Sequence, residues 1–264
     1  MILLFSISTL FSFQLPQEIF SGPLLLSPQI SSFWNNLSLS FHSNIIENNR
    51  YLLILSGLKT TLLISIMAVF LGTILGGIIC LMKMSKLKLL KSFANTFISI
   101  IRGTPVLVLL MLLFYVVFQS INIDSTVVAI LGFALNFAAY SAEIFRTGIE
   151  SVDSGQKEAG IALGFTKKET YLNIILPQAI RRIIPVYKSE IITLVKMTSV
   201  VGYIAVQDLT KVVDLIRSRT FDAFFPLVMV AVLYFMISWS LIMIIEYFEK
   251  KTDRRLQVQK QRAN

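Results

Sequence analysis

The sequence predicts an all-α integral membrane protein with five transmembrane helices. Three observations favour this class: 55% of the 264 residues are hydrophobic, the mean hydropathy is +0.73, and several long runs carry no charge. An uncharged run of about 18 residues or more spans about 30 Å of hydrocarbon when it is helical. Ordinary soluble domains have a smaller apolar share, so a soluble fold is excluded.

Four uncharged runs, and a fifth that contains Lys196, are the predicted spans. In chain order they are 60–82, 104–123, 125–142, 191–207 and 223–245. In the first span, Ala68, Gly72 and Gly76 recur every four residues and line one helix face. Such a face lets a second helix pack closely in lipid, although glycine is also simply commoner in membrane helices.

The basic residues, which give a net charge of +9, are sorted along the chain. Most of them follow the first, third and fifth predicted spans, and the alternate connections carry few. By the positive-inside rule, the N-terminus lies outside and the C-terminus in the cytoplasm. The charge therefore reflects membrane topology, and nucleic-acid binding is not expected.

The chain is expected to have three parts. They are an external N-terminal segment (1–50) of open role, a transmembrane domain (51–251) and a basic cytoplasmic tail (252–264). The apolar run at 1–13 is too short to span the bilayer. It is compatible with a signal-peptide core, an external tail or an interfacial anchor.

A polar stretch between the third and fourth spans, "GQKEAGIALGFTKKETYLNIILP", carries two helix-start signals. Asp153 with Gln156, and Thr166 with Glu169, both have the spacing of a capping box, in which two residues satisfy each other's backbone N–H groups. The stretch is therefore predicted to form two short helices on the cytoplasmic side.

The two helices are expected to meet at Gly164, and the second is expected to end at Pro177. Gly164 suits a left-handed residue that closes a helix, and proline commonly terminates one. The first helix is thin, because several of its residues are Gly or Ala. A thin, partly apolar element suits a groove in another protein, but a surface hairpin that packs on its own chain fits the same pattern.

This stretch and three others resemble one family. "EAGIALGFTKKETYLNIILPQAIRRIIP" is similar to the EAA loop of bacterial ABC importer permeases. "RGTPVLVLL", "AAYSAEIFRTGIESVDSGQ" and "KMTSVVGYIAVQDL" resemble the polar amino acid (histidine, glutamine or arginine) branch of that family, and the four motifs occur in the family's order. Two residues depart from the pattern: Gly160 stands where the family usually has Ala, and Met197 where Asp usually follows the lysine.

The resemblance implies a type I ABC importer permease subunit in the bacterial inner membrane. Its implied partners are a cytoplasmic ABC ATPase dimer, a second permease subunit, an extracytoplasmic solute-binding protein and the lipid bilayer. ATP and Mg would be bound by the ATPase, and this chain has no G-x-x-x-x-G-K-[ST] phosphate loop. Zinc held by His and Cys is excluded, because the chain has one residue of each type.

The resemblance also assigns candidate functional residues. The ATPase-coupling residues are Glu158, Ala159, Gly160, Gly164, Leu176 and Pro177. The other family-motif residues are Arg102, Gly103, Thr104, Pro105, Glu143 and Arg146. We expect Pro105 in the first turn of the second span, with Arg102 marking where that helix enters the membrane. Glu143 and Arg146 are three residues apart and are expected to form an ion pair on one helix face. The simplest role of this pair is that the two charges neutralise each other at the membrane interface.

Lys196, Thr198 and Ser199 are candidates for the substrate path. For Lys196, anchoring of helix packing or snorkelling towards the interface is an equally open role. An intramembrane enzyme would need paired aspartates or a Ser-His dyad at membrane depth, and the sequence offers neither. A permease for another small solute and a membrane scaffold with no transport role remain as alternatives.

Overall fold

The computed structural model describes residues 28–263, with side chains described at 32 and 34–247. The described residues form helices and turns and contain no strand. The helices are α1 (Pro28–Phe41), α2 (Arg50–Lys83), α3 (Lys88–Gly103), α4 (Val106–Leu112), α5 (Ser125–Glu150), α6 (Ser154–Ala162), α7 (Lys167–Thr170), α8 (Leu176–Met197), α9 (Leu209–Thr220) and α10 (Phe224–Ala263). The all-α prediction is confirmed for this part of the chain.

Three helical stretches between residues 28 and 263 are long and apolar enough to cross a membrane by themselves. They are Trp34–Lys83, Ser125–Glu150 and Phe224–Tyr247. Two bent pairs meet the same test only together. They are Lys88–Gly103 with Val106–Val117, bent by 106°, and Lys167–Ile204 with Leu209–Thr220, bent by 55°. The number of spans is therefore three, or up to five if each bent pair counts as one.

The centre of the fold is the contact between α2 and α5, and small residues make it possible. A Cβ on Gly72 would lie 2.9 Å from the carbonyl oxygen of Ala134, and one on Gly76 would lie 3.0 Å from that of Ala138. Ala68, one turn earlier, is fully buried. The predicted small-residue face of the first span is thus a helix-packing surface, since only residues without bulk let the two backbones approach this closely.

The second predicted span is shorter than the sequence indicated. A helix was expected over 104–123, but the helical residues are Val106–Leu112 and a π-helical turn, Leu113–Val117. Twelve helical residues extend about 18 Å, so this segment does not cross the hydrocarbon alone. Thr104 is extended because the following Pro105 disfavours helical geometry there, and Pro105 caps the helix instead of lying in its first turn.

The prediction that Pro177 ends a helix is wrong. After α7, a π-helical turn (Tyr171–Ile175) leads directly into α8, where Pro177 occupies the first turn. A first-turn residue needs no N–H donor, so proline is tolerated there. In this wider turn the Leu176 N–H donates to the carbonyl oxygen of Tyr171, and the turn joins α7 to α8. The second helix of the polar stretch therefore continues into the predicted fourth span.

The fourth predicted span, 191–207, ends differently from the expectation. Its α-helix stops at Met197, and a 3-10 segment (Thr198–Ile204) follows to Ala205, which has a left-handed backbone. The connection after it contains α9, a helix that the sequence analysis does not predict. The apolar face of α9 is buried at Leu209, Val212, Val213 and Ile216. This spacing is the helical pattern that would have revealed α9.

The N-terminal segment is joined to α2 through a bend. Two left-handed residues, Asn48 and Asn49, interrupt the helical path between α1 and α2. The segment is tied to the α9–α10 connection, where the Asn44 amide donates to Asp222 Oδ2 at 2.9 Å and its oxygen accepts from Thr220 at 3.0 Å. The apolar run at 1–13 lies outside the described residues. At the other end, α10 extends through the basic tail to Ala263.

Candidate functional site

The polar stretch after α5 begins with a capped helix. The Gly155 N–H donates to Asp153 Oδ1 at 2.6 Å, so Asp153 is the N-cap of α6, as predicted. The return bond expected from Gln156 is absent from α6: its side-chain oxygen instead accepts from Gln178 Nε2 at 3.2 Å. Asp153 therefore caps α6 through the N–H of Gly155 alone, and the predicted capping box with Gln156 is not formed, because the Gln156 side chain connects α6 to α8.

Gly164 closes α6 in the way its sequence position indicates. Its φ is +88°, a value that residues with a Cβ rarely adopt. The Phe165 N–H donates to the carbonyl oxygen of Gly160 at 3.1 Å, and the Gly164 N–H to that of Ile161 at 3.0 Å. These two bonds define a Schellman motif, which satisfies the last carbonyls of the helix.

The capping box at the start of α7 is complete. The Thr166 N–H donates to Glu169 Oε2 at 2.8 Å, and the Glu169 N–H donates to Thr166 Oγ1 at 3.3 Å. The helix, glycine turn and second helix start were all predicted and are confirmed. The expected Gln156 bond in the first box and the expected end at Pro177 differ.

Within this helix–turn–helix, Gly160 faces inwards and its neighbours face outwards. Gly160 is buried, and a Cβ there would lie 2.6 Å from Thr170 Cγ2 and 2.9 Å from Ile174 Cδ1. The thinness of α6 at this position therefore serves packing within the chain. Glu158, Ala159, Gly164 and Pro177 are exposed, and Leu176 is half-buried.

The turn also exposes apolar side chains. Leu163 is 77% exposed, and Ile161 and Phe165 on either side of it are exposed as well. A Cβ at Gly164 would meet no atom within 4 Å, so this tip is open in the isolated chain. Three neighbouring apolar side chains on a tip of this kind are typical of a surface that contacts another protein.

The residues 143 and 146 form the expected ion pair and belong to a larger charged cluster. Arg146 Nε lies 2.7 Å from Glu143 Oε2. Lys83, at the end of α2, contacts the other oxygen of Glu143, and Arg146 also contacts Glu150. Sequence reasoning found the pair from its helical spacing but missed Lys83, because only the packing of α2 on α5 brings that residue near.

The end of α5 is also attached to α8. Gly148 lies so close to Ile183 of α8 that a Cβ would collide with it. The carbonyl oxygen of Ser151 accepts a hydrogen bond from the Arg182 guanidinium. The helix that precedes α6 and the helix that follows the loop therefore meet directly.

The "RGTP" residues lie at the sharp bend between α3 and α4. The Arg102 guanidinium lies over the ring of Tyr140, 5.0 Å from its centre, a cation–π contact with α5. Gly103 is the last residue of α3, and the Thr104 hydroxyl donates to the carbonyl oxygen of Ile100 at 2.8 Å. With Pro105 as the cap of α4, these residues shape the bend.

The three candidates for the substrate path do not lie on one surface. Lys196 is exposed and Ser199 is half-buried. Thr198 is fully buried, and its hydroxyl donates to the carbonyl oxygen of Val195 at 2.7 Å. Of the three, Lys196 is the side chain that is open to a solute or a neighbouring subunit.

Sequence reasoning missed one buried acidic residue, Asp208. Its carboxylate accepts from the backbone N–H groups of Thr210 at 3.0 Å and Lys211 at 2.9 Å, and from the Tyr234 hydroxyl at 3.2 Å. Asp208 thus caps α9 and connects it to α10. An Asp directly before an apolar helical repeat is a readable N-cap signal, but the contact with Tyr234, 26 residues away, was not readable.

The described residues contain no cluster of His, Cys, Asp and Glu that could hold a metal ion. The fold and the site define a helical membrane protein that carries a projecting helix–glycine turn–helix. Residues 68–254 match the family described as "Binding-protein-dependent transport system inner membrane component", and the chain belongs to this family.

Two curated relatives and one solved structure are similar to this chain and are also transport permeases or transporters. A Rickettsia typhi protein assigned as the glutamine transport system permease GlnP is 36% identical over 204 residues, covering 76% of this chain and 94% of the relative. A Bacillus subtilis protein assigned as the amino-acid ABC transporter permease YckA is 36% identical over 203 residues, covering 76% and 88%. The crystal structure of an amino acid ABC transporter with histidines matches with a TM-score of 0.71 and 38% identity, covering 75% of this chain and 94% of that one.

The chain is therefore a permease component of an ABC importer and an inner membrane protein. It is a transporter subunit and not itself the ATPase, since ATP hydrolysis in this family belongs to a separate partner.

Proposed function

We propose that this chain is the permease subunit of an ATP-driven importer of polar amino acids, and that residues 155–177 couple it to the ATPase. The observation that carries the coupling role is the exposed tip around Gly164. A left-handed glycine, a capping box and the open side chain of Leu163 form a rigid projecting element with an apolar end. Rigid elements transmit displacement better than flexible loops, and small residues admit close contact with a groove.

The proposed assembly has two permease subunits, a cytoplasmic ATPase dimer that binds ATP and Mg, and an extracytoplasmic solute-binding protein. Supporting this, the family is one of binding-protein-dependent transport systems, and the solved relative is an ABC transporter. This chain would cross the bacterial inner membrane five times, with 51–251 as its transmembrane domain. The sorted basic residues support an external N-terminus and a cytoplasmic C-terminus.

The substrate class is proposed from the relatives. One is assigned to glutamine transport, and the solved structure was obtained with histidines. Glutamine and histidine are both polar amino acids, and over the aligned residues this chain is 36% identical to the first protein and 38% identical to the second. Uptake of a panel of labelled amino acids by the reconstituted complex identifies the solute, and uptake of none of them would favour a different small molecule.

Lys196 is proposed to face the transport path. Its side chain is exposed in the last turn of α8, directly after the uncharged run 191–195. A charge directed into lipid costs several kcal/mol or requires snorkelling. A wet path or a second permease subunit would remove that cost.

The coupling role is tested by Gly164→Val. Valine at φ +88° is strained by more than about 1 kcal/mol, and its branches would also obstruct a groove wall. We expect normal membrane insertion, loss of ATPase copurification and loss of uptake. Gly77→Val is the matched control, because Gly77 has ordinary helical geometry and open space around it.

A second variant, Glu158→Lys, reverses an exposed charge in the middle of α6, on the element proposed to contact the ATPase. It should weaken ATPase binding without disturbing the turn. If both Gly164→Val and Glu158→Lys hold the ATPase at wild-type stoichiometry and transport normally, the 155–177 region is only a surface hairpin.

A further inference from the structure

Four charges of alternating sign lie at the end of α5 that leads into the coupling helix α6. Glu143 contacts Lys83 through one carboxylate oxygen and Arg146 through the other, and Arg146 also contacts Glu150. We call these residues the charge ladder. Three of its members belong to α5, and Lys83 is the last residue of α2.

The Lys83–Glu143 contact differs from the rest of the ladder because it joins two helices. Both side chains are largely buried, with 17% and 18% of their surfaces exposed. A buried ion pair adds little net stability, since desolvation offsets its Coulomb attraction, whereas it does favour one relative arrangement of its partners. An apolar pair would hold the two helices together at least as well.

Adhesion of α2 to α5 is already provided elsewhere. Gly72 and Gly76 bring the two backbones into contact through the middle of both helices. This small-residue surface, against which Phe137 of α5 packs, sets the separation of the helices at Gly72 and Gly76. The ion pair lies beyond this contact, at the end of α2, and restrains the relative position of the helix ends there.

The position of the ladder relates it to the coupling loop. Only residues 151–153 separate α5 from α6. The same end of α5 is held to α8 by the Arg182 hydrogen bond to Ser151 and by the packing of Ile183 on Gly148. A displacement of the loop therefore reaches the end of α5 from both sides, and Lys83 is the charged contact that continues to α2.

We infer that the Lys83–Glu143 pair is a positioning contact that makes α2 follow α5 when the coupling loop moves. This inference rests on the proposed coupling function. In the pair's absence, the ATPase would still bind α6 and α7 and hydrolyse ATP, but less of the movement would reach the membrane helices. The expected defect is a change in coupling, with assembly preserved.

The test compares Lys83→Met with Lys86→Met in the reconstituted complex. Lys86 is an exposed lysine three residues away, so its replacement removes the same charge without the contact. For Lys83→Met we expect ATPase copurification to be retained and solute uptake per ATP hydrolysed to fall roughly tenfold, within the usual range of coupling between sites. Lys86→Met and the charge-preserving Lys83→Arg should keep the wild-type ratio.

If Lys83→Met lowers the amount of complex, a distance measurement between the ends of α2 and α5 still tests the inference. Spin labels at Leu81→Cys and Thr147→Cys, in a chain with Cys80→Ala, report the separation of the α2 and α5 ends. Both labelled positions are exposed. In a chain that retains Lys83, the separation should be equal with and without ATP turnover, and with Lys83→Met it should change.

The outcomes distinguish the positioning role of the Lys83–Glu143 pair from the coupling function of residues 155–177. An unchanged uptake-to-hydrolysis ratio in Lys83→Met, or a separation that ATP does not alter in that variant, overturns the positioning role and leaves the coupling function intact. Failure of the wild-type chain to copurify with an ATPase would instead overturn the coupling function itself.

Discussion

Gly160 allows a quantitative test of how α6 packs against Thr170 and Ile174. Gly160→Ala adds a methyl group 2.6 Å from Thr170 Cγ2, and 2.9 Å from both Thr170 Oγ1 and Ile174 Cδ1. Overpacking of this kind costs about 1–3 kcal/mol, whereas replacing a helical glycine by alanine gains about 1 kcal/mol. We expect a net loss of roughly 0–2 kcal/mol in the stability of the α6 contact. The methyl group of an alanine at position 160 is thus costly in this chain.

Thr170→Ala should reverse the effect. This change removes the two Thr170 atoms that the new methyl would meet, and within the described part of the chain the buried Thr170 hydroxyl has no hydrogen-bond partner. The double variant should then recover part of the helix gain of about 1 kcal/mol, because the new methyl still lies 2.9 Å from Ile174 Cδ1. The coupling energy between the two sites should be roughly 0.5–3 kcal/mol.

Amide hydrogen exchange of residues 154–163 measures this stability locally, and ATPase copurification measures its consequence. Gly77→Ala is the control, because a Cβ there meets no atom within 4 Å and only the helix gain remains. If Gly160→Ala slows amide exchange in α6 as much as Gly77→Ala slows it in α2, alanine at position 160 has no packing cost. The cost is also contradicted if Thr170→Ala does not change the effect of Gly160→Ala on exchange.

Three further predictions concern the rest of the chain. Lys196→Met should preserve assembly and ATPase binding but reduce uptake, and unchanged uptake kinetics would remove Lys196 from the path. Single cysteines should react with an impermeant reagent at position 48 and not at position 257 in cells whose outer barrier is permeable, and the reverse pattern would invert the topology. Burial raises the pKa of the Asp222 carboxyl, but hydrogen bonds from the Phe225 N–H and from Asn44 outweigh burial and hold the pKa below its usual value. Its stabilising effect is therefore complete above the unfolded pKa of about 4 and is lost as pH falls through the lower folded value. Exchange protection around Asn44 should decrease in that acidic range, and an equal decrease in Asp222→Asn would contradict the assignment.

The sequence by itself determined the membrane class and the local chemistry of the loop. Apolar run length reports directly on bilayer thickness. The Gly164 turn and the Thr166–Glu169 box depend on residues a few positions apart, so their spacing alone predicts their hydrogen bonds. The resemblance of four motifs then indicated the family, which the match over residues 68–254 confirmed.

The tertiary structure decided the features that depend on contacts between distant residues. Lys83 meets Glu143 across 60 positions, and Asp208 meets Tyr234 across 26. Gly160 must be small because of Thr170, which belongs to the next helix. The chain stays helical up to Pro177 because of the π-helical turn Tyr171–Ile175, which the spacing of neighbouring residues does not predict. Local spacing carries information about neighbours along the chain, whereas these contacts exist only because helix packing brings remote residues together.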